Sequence, residues 1–167
     1  MSLTDGKTST HVDVKGSDQL VGILRAHRSV DLVQSGWAGL DISGTDILTI
    51  GEAPHDWLFP RMAAVAHHCG AGTTAAALRA GRPSIPIPGP AGDQPFWAKR
   101  LQTLGAATRH LPQRSLTADH LAAAINAALD DGALIHTARV LAARIGVEDG
   151  AGVAVAAIER VLTSARR

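Results

Sequence analysis

The run His67-His68-Cys69-Gly70-Ala71-Gly72-Thr73-Thr74 constrains the fold of this chain more than any other stretch. An apolar segment, Ala64-Val65-Ala66-His67, reads as a buried strand that enters a turn of small residues. The chain leaves that turn as an Ala-rich helix from Thr73 to Ala80, stopped by Gly81 and then Pro83. Gly and Thr where a helix begins leave backbone N–H groups without partners, and the helix dipole sets its positive end there. Such a turn is a ready site for phosphate. Ser84-Ile85-Pro86-Ile87 follows as a second strand, and Gly92-Asp93-Gln94 lies beyond it. Asp93 and Gln94 supply a carboxylate and an amide, groups suited to sugar hydroxyls. A phosphate cradle beside such a pair suggests a nucleotide-sugar site.

The rest of the chain repeats the alternation of strand and helix. His11-Val12-Asp13-Val14, Val30 to Val33 and Ile47-Leu48-Thr49-Ile50 read as strands, and Leu20 to Leu24 as a short helix. Pro86 predicts that its strand lies at a sheet margin, because proline cannot donate to a ladder. Gln94 to Leu104 reads as a helix ended by Gly105. Thr117 is a suitable N-cap for the next, with Leu121, Ile125 and Leu129 on one face. Leu134, Ala138, Leu141 and Ile145 form a second stripe, and Val155, Ile158 and Leu162 a third. Buried strands alternating with helices predict an α/β fold: a Rossmann-like parallel sheet with helices on both faces. Ligands of such sheets sit beyond the carboxyl ends of the strands. Gly51 to His55, His68 and Gly89 to Gln94 all fall there.

With 167 residues the chain is long enough for one domain. Residues 1–10 are expected to be a tag or disordered start, and 11–167 the domain. Hydrophobic residues make up 46% and charged ones 19%, which excludes a disordered chain. Aromatics are only 3% and Tyr is absent, so the core is expected to rest on Ala, Val, Leu and Ile. A net charge of +1 gives no nucleic-acid footprint. No apolar run reaches membrane-spanning length, and a single Cys fits a reducing, cytoplasmic setting. The scattered His residues present no metal site, and no cofactor is expected.

The order of these parts resembles the carboxy-terminal half of nucleotide-sugar glycosyltransferases with two facing Rossmann-like domains, the GT-B architecture. The run from Gly51-Glu52-Ala53-Pro54-His55-Asp56-Trp57-Leu58-Phe59-Pro60 through His67–Thr74 to Gly92-Asp93-Gln94-Pro95-Phe96-Trp97 is similar to the sterol- and macrolide-type UDP-glucosyltransferases. The resemblance implies that His68, Gly70, Gly72, Thr73 and Thr74 bind the diphosphate. It adds Ser17, after Gly16, as a fainter contact. Asp93 and Gln94 would hold the sugar, while Ala53, Pro54 and His55 would frame the nucleoside. Plant relatives bind ribose with a Glu where this chain has Ala76, an alanine that bacterial relatives share.

Each assignment has a plainer alternative. His68 can be a structural imidazole bonding a carbonyl; His67, which strand alternation points the other way, is expected to be structural. Asp93 can be only a helix cap. Trp57 reads better as a core anchor than as a base-stacking ring, and Cys69 as a packing residue rather than a nucleophile.

The implied function is the donor-binding domain of a metal-independent, inverting glycosyltransferase. It would take a hexose from a UDP- or dTDP-sugar to a hydroxyl of a small lipophilic acceptor such as a sterol or macrolide. The catalytic base and acceptor pocket would belong to an amino-terminal domain or partner chain, so no catalytic residue is expected here. On that reading the chain is a fragment, a truncated protein or half of a two-chain enzyme. A stand-alone nucleotide-sugar-binding module and an epimerase-like domain are the alternatives.

Overall fold

The computed structural model describes residues 9–12, 30–34, 47–90 and 92–164. Among the described residues, five parallel strands form one sheet: β1 (Ser9–Val12), β2 (Val30–Gln34), β3 (Ile47–Ile50), β4 (Ala64–His67) and β5 (Ser84–Pro86), in the order β3-β2-β1-β4-β5. The helices are α1 (His55–Leu58), α2 (Ala71–Ala80), α3 (Gln94–Thr103), α4 (Ala118–Asp130), α5 (Gly132–Gly146) and α6 (Gly150–Ser164). The expected parallel α/β sheet is therefore present. Its strand order reverses direction between β1 and β4, which pair as His11 with Val65. A crevice opens beyond the carboxyl ends of two such strands.

Alternation along β4 divides the core between the two faces of the sheet. Ala64 and Ala66 pack with Val33, Ile85, Leu121 and Ile125, so α4 covers one face. Val65 points the other way, among Leu32, Leu58, Phe59, Met62 and Ala77, and α1 and α2 cover that face. Burying Leu121 and Ile125 in α4 contributes roughly 1.5–3 kcal/mol each. Phe59 is fully buried, so the core draws on an aromatic ring beyond the expected aliphatics.

β5 lies at the margin of the sheet, as Pro86 predicts. An extended segment still borders it: Ser84 N–H donates to Ala106 O at 3.0 Å and Thr108 N–H to Ser84 O at 3.0 Å. Gly81 ends α2 in the left-handed region at φ 65°, where glycine is at ease.

Several expectations shift. β1 takes in Ser9 and Thr10 and stops at Val12, so the strand lies two residues earlier than its sequence pattern predicts. It also begins ahead of the expected domain boundary at residue 11. The 13–29 region, with the expected helix and Ser17, lies outside the described residues. Trp57 is 50% exposed, so Leu58 and Phe59 anchor that turn in its place. The stripe on α6 is not core: no residue of that helix is buried. Its apolar spacing is helical, but no described element supplies a face to cover it.

Candidate functional site at the carboxyl edge of the sheet

β4 delivers the chain to the crevice at His67. That ring is fully buried, and its Nδ1 accepts the Cys69 N–H at 3.2 Å. Nε2 therefore carries the proton and donates to Ser84 Oγ at 3.1 Å. His67 is structural, as expected: it ties β4 to β5 and pins the turn that follows. Cys69 occupies that turn with φ 65°, a conformation rare for residues other than glycine. Its side chain is buried against Ala98 and Leu101, and burial pushes the thiol up to about 12, against the opposing pull of a hydrogen bond from Ile87. Such a thiol packs and does not attack.

The N-cap of α2 is Gly70, which has no side chain to cap it. The Thr74 N–H reaches Gly70 O at 2.9 Å, so the N–H groups of Ala71, Gly72 and Thr73 precede the helical ladder. The His68 ring abuts Gly70: a Cβ placed on Gly70 would fall 2.7 Å from His68 Nε2. The free N–H groups lie at the positive end of a ten-residue helix, and the His68 ring stands against Gly70 at its start. Thr74 departs from its expected place. Its side chain is buried and its hydroxyl has no hydrogen-bond partner, whereas Gly72 and Thr73 stand at the surface of the turn.

A cavity of about 740 Å³ runs from Gly72 and Thr73 along α2 past Ala76 to Arg79, with His55 and Asp56 of α1 opposite. His55 stacks on Phe59, ring centroids 4.4 Å apart, which fixes its plane at the cavity wall. Of the three residues expected to frame a nucleoside, His55 lines this cavity. Ala53 packs into the core, and the Pro54 carbonyl accepts the Trp57 and Leu58 N–H groups at 3.1 and 2.9 Å. Asp56 and Arg79 are additions. The signal for Arg79 was its spacing, three residues beyond Ala76 and seven beyond Gly72, on one helix face.

Asp93 and Gln94 open α3, yet neither side chain acts as a plain cap. Asp93 has no capping hydrogen bond; its Oδ2 instead accepts the Trp97 indole N–H at 2.7 Å. Asp93 holds the N-cap position without a side-chain cap bond. Gln94 Oε1 accepts the Gly89 N–H at 2.8 Å, which ties the side chain to the loop after β5. Trp97 also packs on the cluster of Cys69, Ala98 and Leu101, so the turn before α2 and the start of α3 share one small core. Ser17 lies outside the described residues.

Comparison with known proteins converges on the same segment. The family described as erythromycin biosynthesis protein CIII-like, C-terminal domain, matches residues 40–158. A sterol 3-beta-glucosyltransferase of Arabidopsis thaliana is 37% identical over 156 residues, covering 92% of this chain and 24% of that protein. Vancomycin aglycone glucosyltransferase of Amycolatopsis orientalis is 44% identical over 114 residues, 65% of this chain and 27% of its own. Among solved structures, spinosyn forosaminyltransferase SpnP superposes with a TM-score of 0.81 at 17% identity, over 95% of this chain and 44% of its own. Glycosyltransferase VinC in complex with dTDP gives 0.75 at 19% identity, over 86% and 39%. The chain thus spans about a quarter of these curated relatives and about two fifths of the solved ones. No helix among the described residues is long and apolar enough to cross a membrane. The uncapped start of α2, His68 and the Asp93–Gln94 pair all fall within the matched span, and the chain belongs to the erythromycin biosynthesis protein CIII-like C-terminal domain family, with the fold of the carboxy-terminal half of its GT-B glycosyltransferase neighbours.

Proposed function

We propose that this domain holds the donor in a metal-independent, inverting glycosyl transfer from a UDP- or dTDP-hexose to a hydroxyl of a small lipophilic acceptor. The observation that carries the reading is the uncapped start of α2, with His68 over Gly70, beside the switch in strand order. The acceptor oxygen would bond to the anomeric carbon as the bond from that carbon to the diphosphate breaks. The departing electron pair goes to the diphosphate. Gly72, Thr73 and His68 would stabilise that growing charge without a cation. The hydroxyl proton would pass to a base that the resemblance places on an amino-terminal half. Asp93 would accept from the sugar hydroxyls and Gln94 would donate to them, while the cavity along α2 would take the nucleoside.

Glucose as the sugar is supported by the glucosyltransferases among the relatives. A single cysteine, buried and unpaired, supports a cytoplasmic location.

Calorimetry with uridine, UMP, UDP and UDP-glucose, and with the deoxythymidine series, tests the reading. Affinity should rise with each phosphate, and equal affinity for nucleoside and diphosphate would remove the cradle. Thr73→Ala should cost about 1 kcal/mol toward UDP, the value of one hydrogen bond. His68→Ala should weaken UDP and UDP-glucose alike. Asp93→Ala should weaken UDP-glucose by roughly 1.5–3 kcal/mol and leave UDP nearly unchanged. The 167-residue chain alone should not transfer glucose to an added sterol or macrolide. Saturable transfer by it would place base and acceptor pocket within this chain.

A further inference from the structure

The geometry points to Trp97 as a positioning residue that sets the Asp93 carboxylate for the donor sugar. The inference rests on the sugar-binding role proposed for Asp93 and adds the group that holds it. Asp93 is exposed at the head of α3, and its backbone, at φ −90° and ψ −1°, is not that of an ordinary N-cap. A carboxylate so placed has free rotation unless something holds it, and here the Trp97 indole does so at 2.7 Å. The two residues are one helical turn apart, so the bond closes along a single face of α3.

The indole is itself held. Its apolar body packs against the cluster of Cys69, Ala98 and Leu101, and Phe96 meets it edge-on with centroids 5.1 Å apart. The same Cys69 forms the turn between His68 and Gly70. Trp97 therefore spans from beneath the phosphate cradle to the carboxylate expected to read the sugar. An indole N–H is a donor only, so it engages one lone pair on Oδ2 and leaves Oδ1 wholly available to accept sugar O–H groups. Holding a charged group in its bound orientation before the ligand arrives lowers the ordering cost of binding.

Trp97→Phe keeps a ring in the apolar cluster and removes the N–H. In calorimetry on the full chain, this variant should bind UDP as the wild type does, within about twofold. It should lose about tenfold toward UDP-glucose, the effect of one hydrogen bond to a charged group. In an Asp93→Ala background the same change should add nothing further, because its effect passes through that carboxylate. Trp97→Phe weakening UDP and UDP-glucose equally would mark a merely structural ring, and losses that add would mean that the ring acts by another route; either result overturns the inference.

An NMR readout works without ligand. The Trp97 indole N–H resonance, identified by its loss in Trp97→Phe, should shift in Asp93→Ala. No shift means no such hydrogen bond and overturns the inference even where Asp93 itself proves to bind sugar. If the resonance does shift, but UDP-glucose binds no better than UDP or is indifferent to Asp93→Ala, the sugar-site reading fails and the inference falls with it.

Discussion

Gly70 shows how tightly single residues are constrained at this site. Its backbone, at φ −61° and ψ 145°, suits any residue, so no conformational demand requires glycine there. The demand is spatial, since a Cβ would meet the His68 ring at 2.7 Å. Gly70→Ala should therefore leave stability within about 0.5 kcal/mol, by urea denaturation, while UDP affinity falls as the ring is pushed from the helix start. Loss of stability with unchanged affinity would place the glycine's role in folding. Cys69 next to it gives a pH-dependent prediction. Its pKa rises from 9.0 to about 12 in the folded state, mainly through burial, because burial disfavours the thiolate. A raised folded pKa stabilises below the unfolded value. That contribution is complete below about pH 9 and is lost as pH climbs toward about 12. The wild type should lose stability more steeply than Cys69→Ala over that window. Iodoacetamide should alkylate Cys69 only once the chain unfolds, which mass spectrometry across a urea series reads directly.

The helices divide by how they begin. α4 and α5 carry side-chain caps: Thr117 Oγ1 accepts the His120 N–H at 3.3 Å, and Asp131 Oδ1 accepts those of Ala133 and Leu134 at 2.9 and 3.1 Å. α2 and α3, which border the site, have none. In one, glycine leaves the N–H groups bare; in the other, the carboxylate is turned toward Trp97. Both arrangements forgo capping energy and keep polar groups open at the crevice. Asp131→Ala should cost about 1 kcal/mol in chemical denaturation, and UDP binding should not change. Thr117→Ala should cost less, since its bond is longer and single. The Thr117 cap was legible from residue type and the apolar stripe behind it. The Asp93–Trp97 bond was not: Asp93 before a helix reads as a cap, and only the observed rotamers show otherwise.

At the scale of the whole molecule, α6 stands apart. Val153, Ile158 and Val161 are 68%, 59% and 65% exposed, and no residue of that helix is buried. Removing 150–164 should change the unfolding free energy by less than about 1 kcal/mol and leave the unfolding m-value only slightly reduced, because little surface of the sheet is uncovered. A loss of several kcal/mol would show that α6 packs on this domain in solution. Local pattern by itself determined the parallel sheet, the Gly81 stop, the margin position of β5 and the small-residue turn, without a side-chain cap, that leads into α2. Each follows from backbone geometry, hydrogen-bond supply or helical spacing within a few residues. Tertiary structure alone decided which apolar stripe is core, since the stripes of α4 and α6 read alike and only one meets a sheet. It also turned Thr74 inward and Trp57 outward, and it brought Trp97 to Asp93, because burial and side-chain partners depend on what lies across the fold.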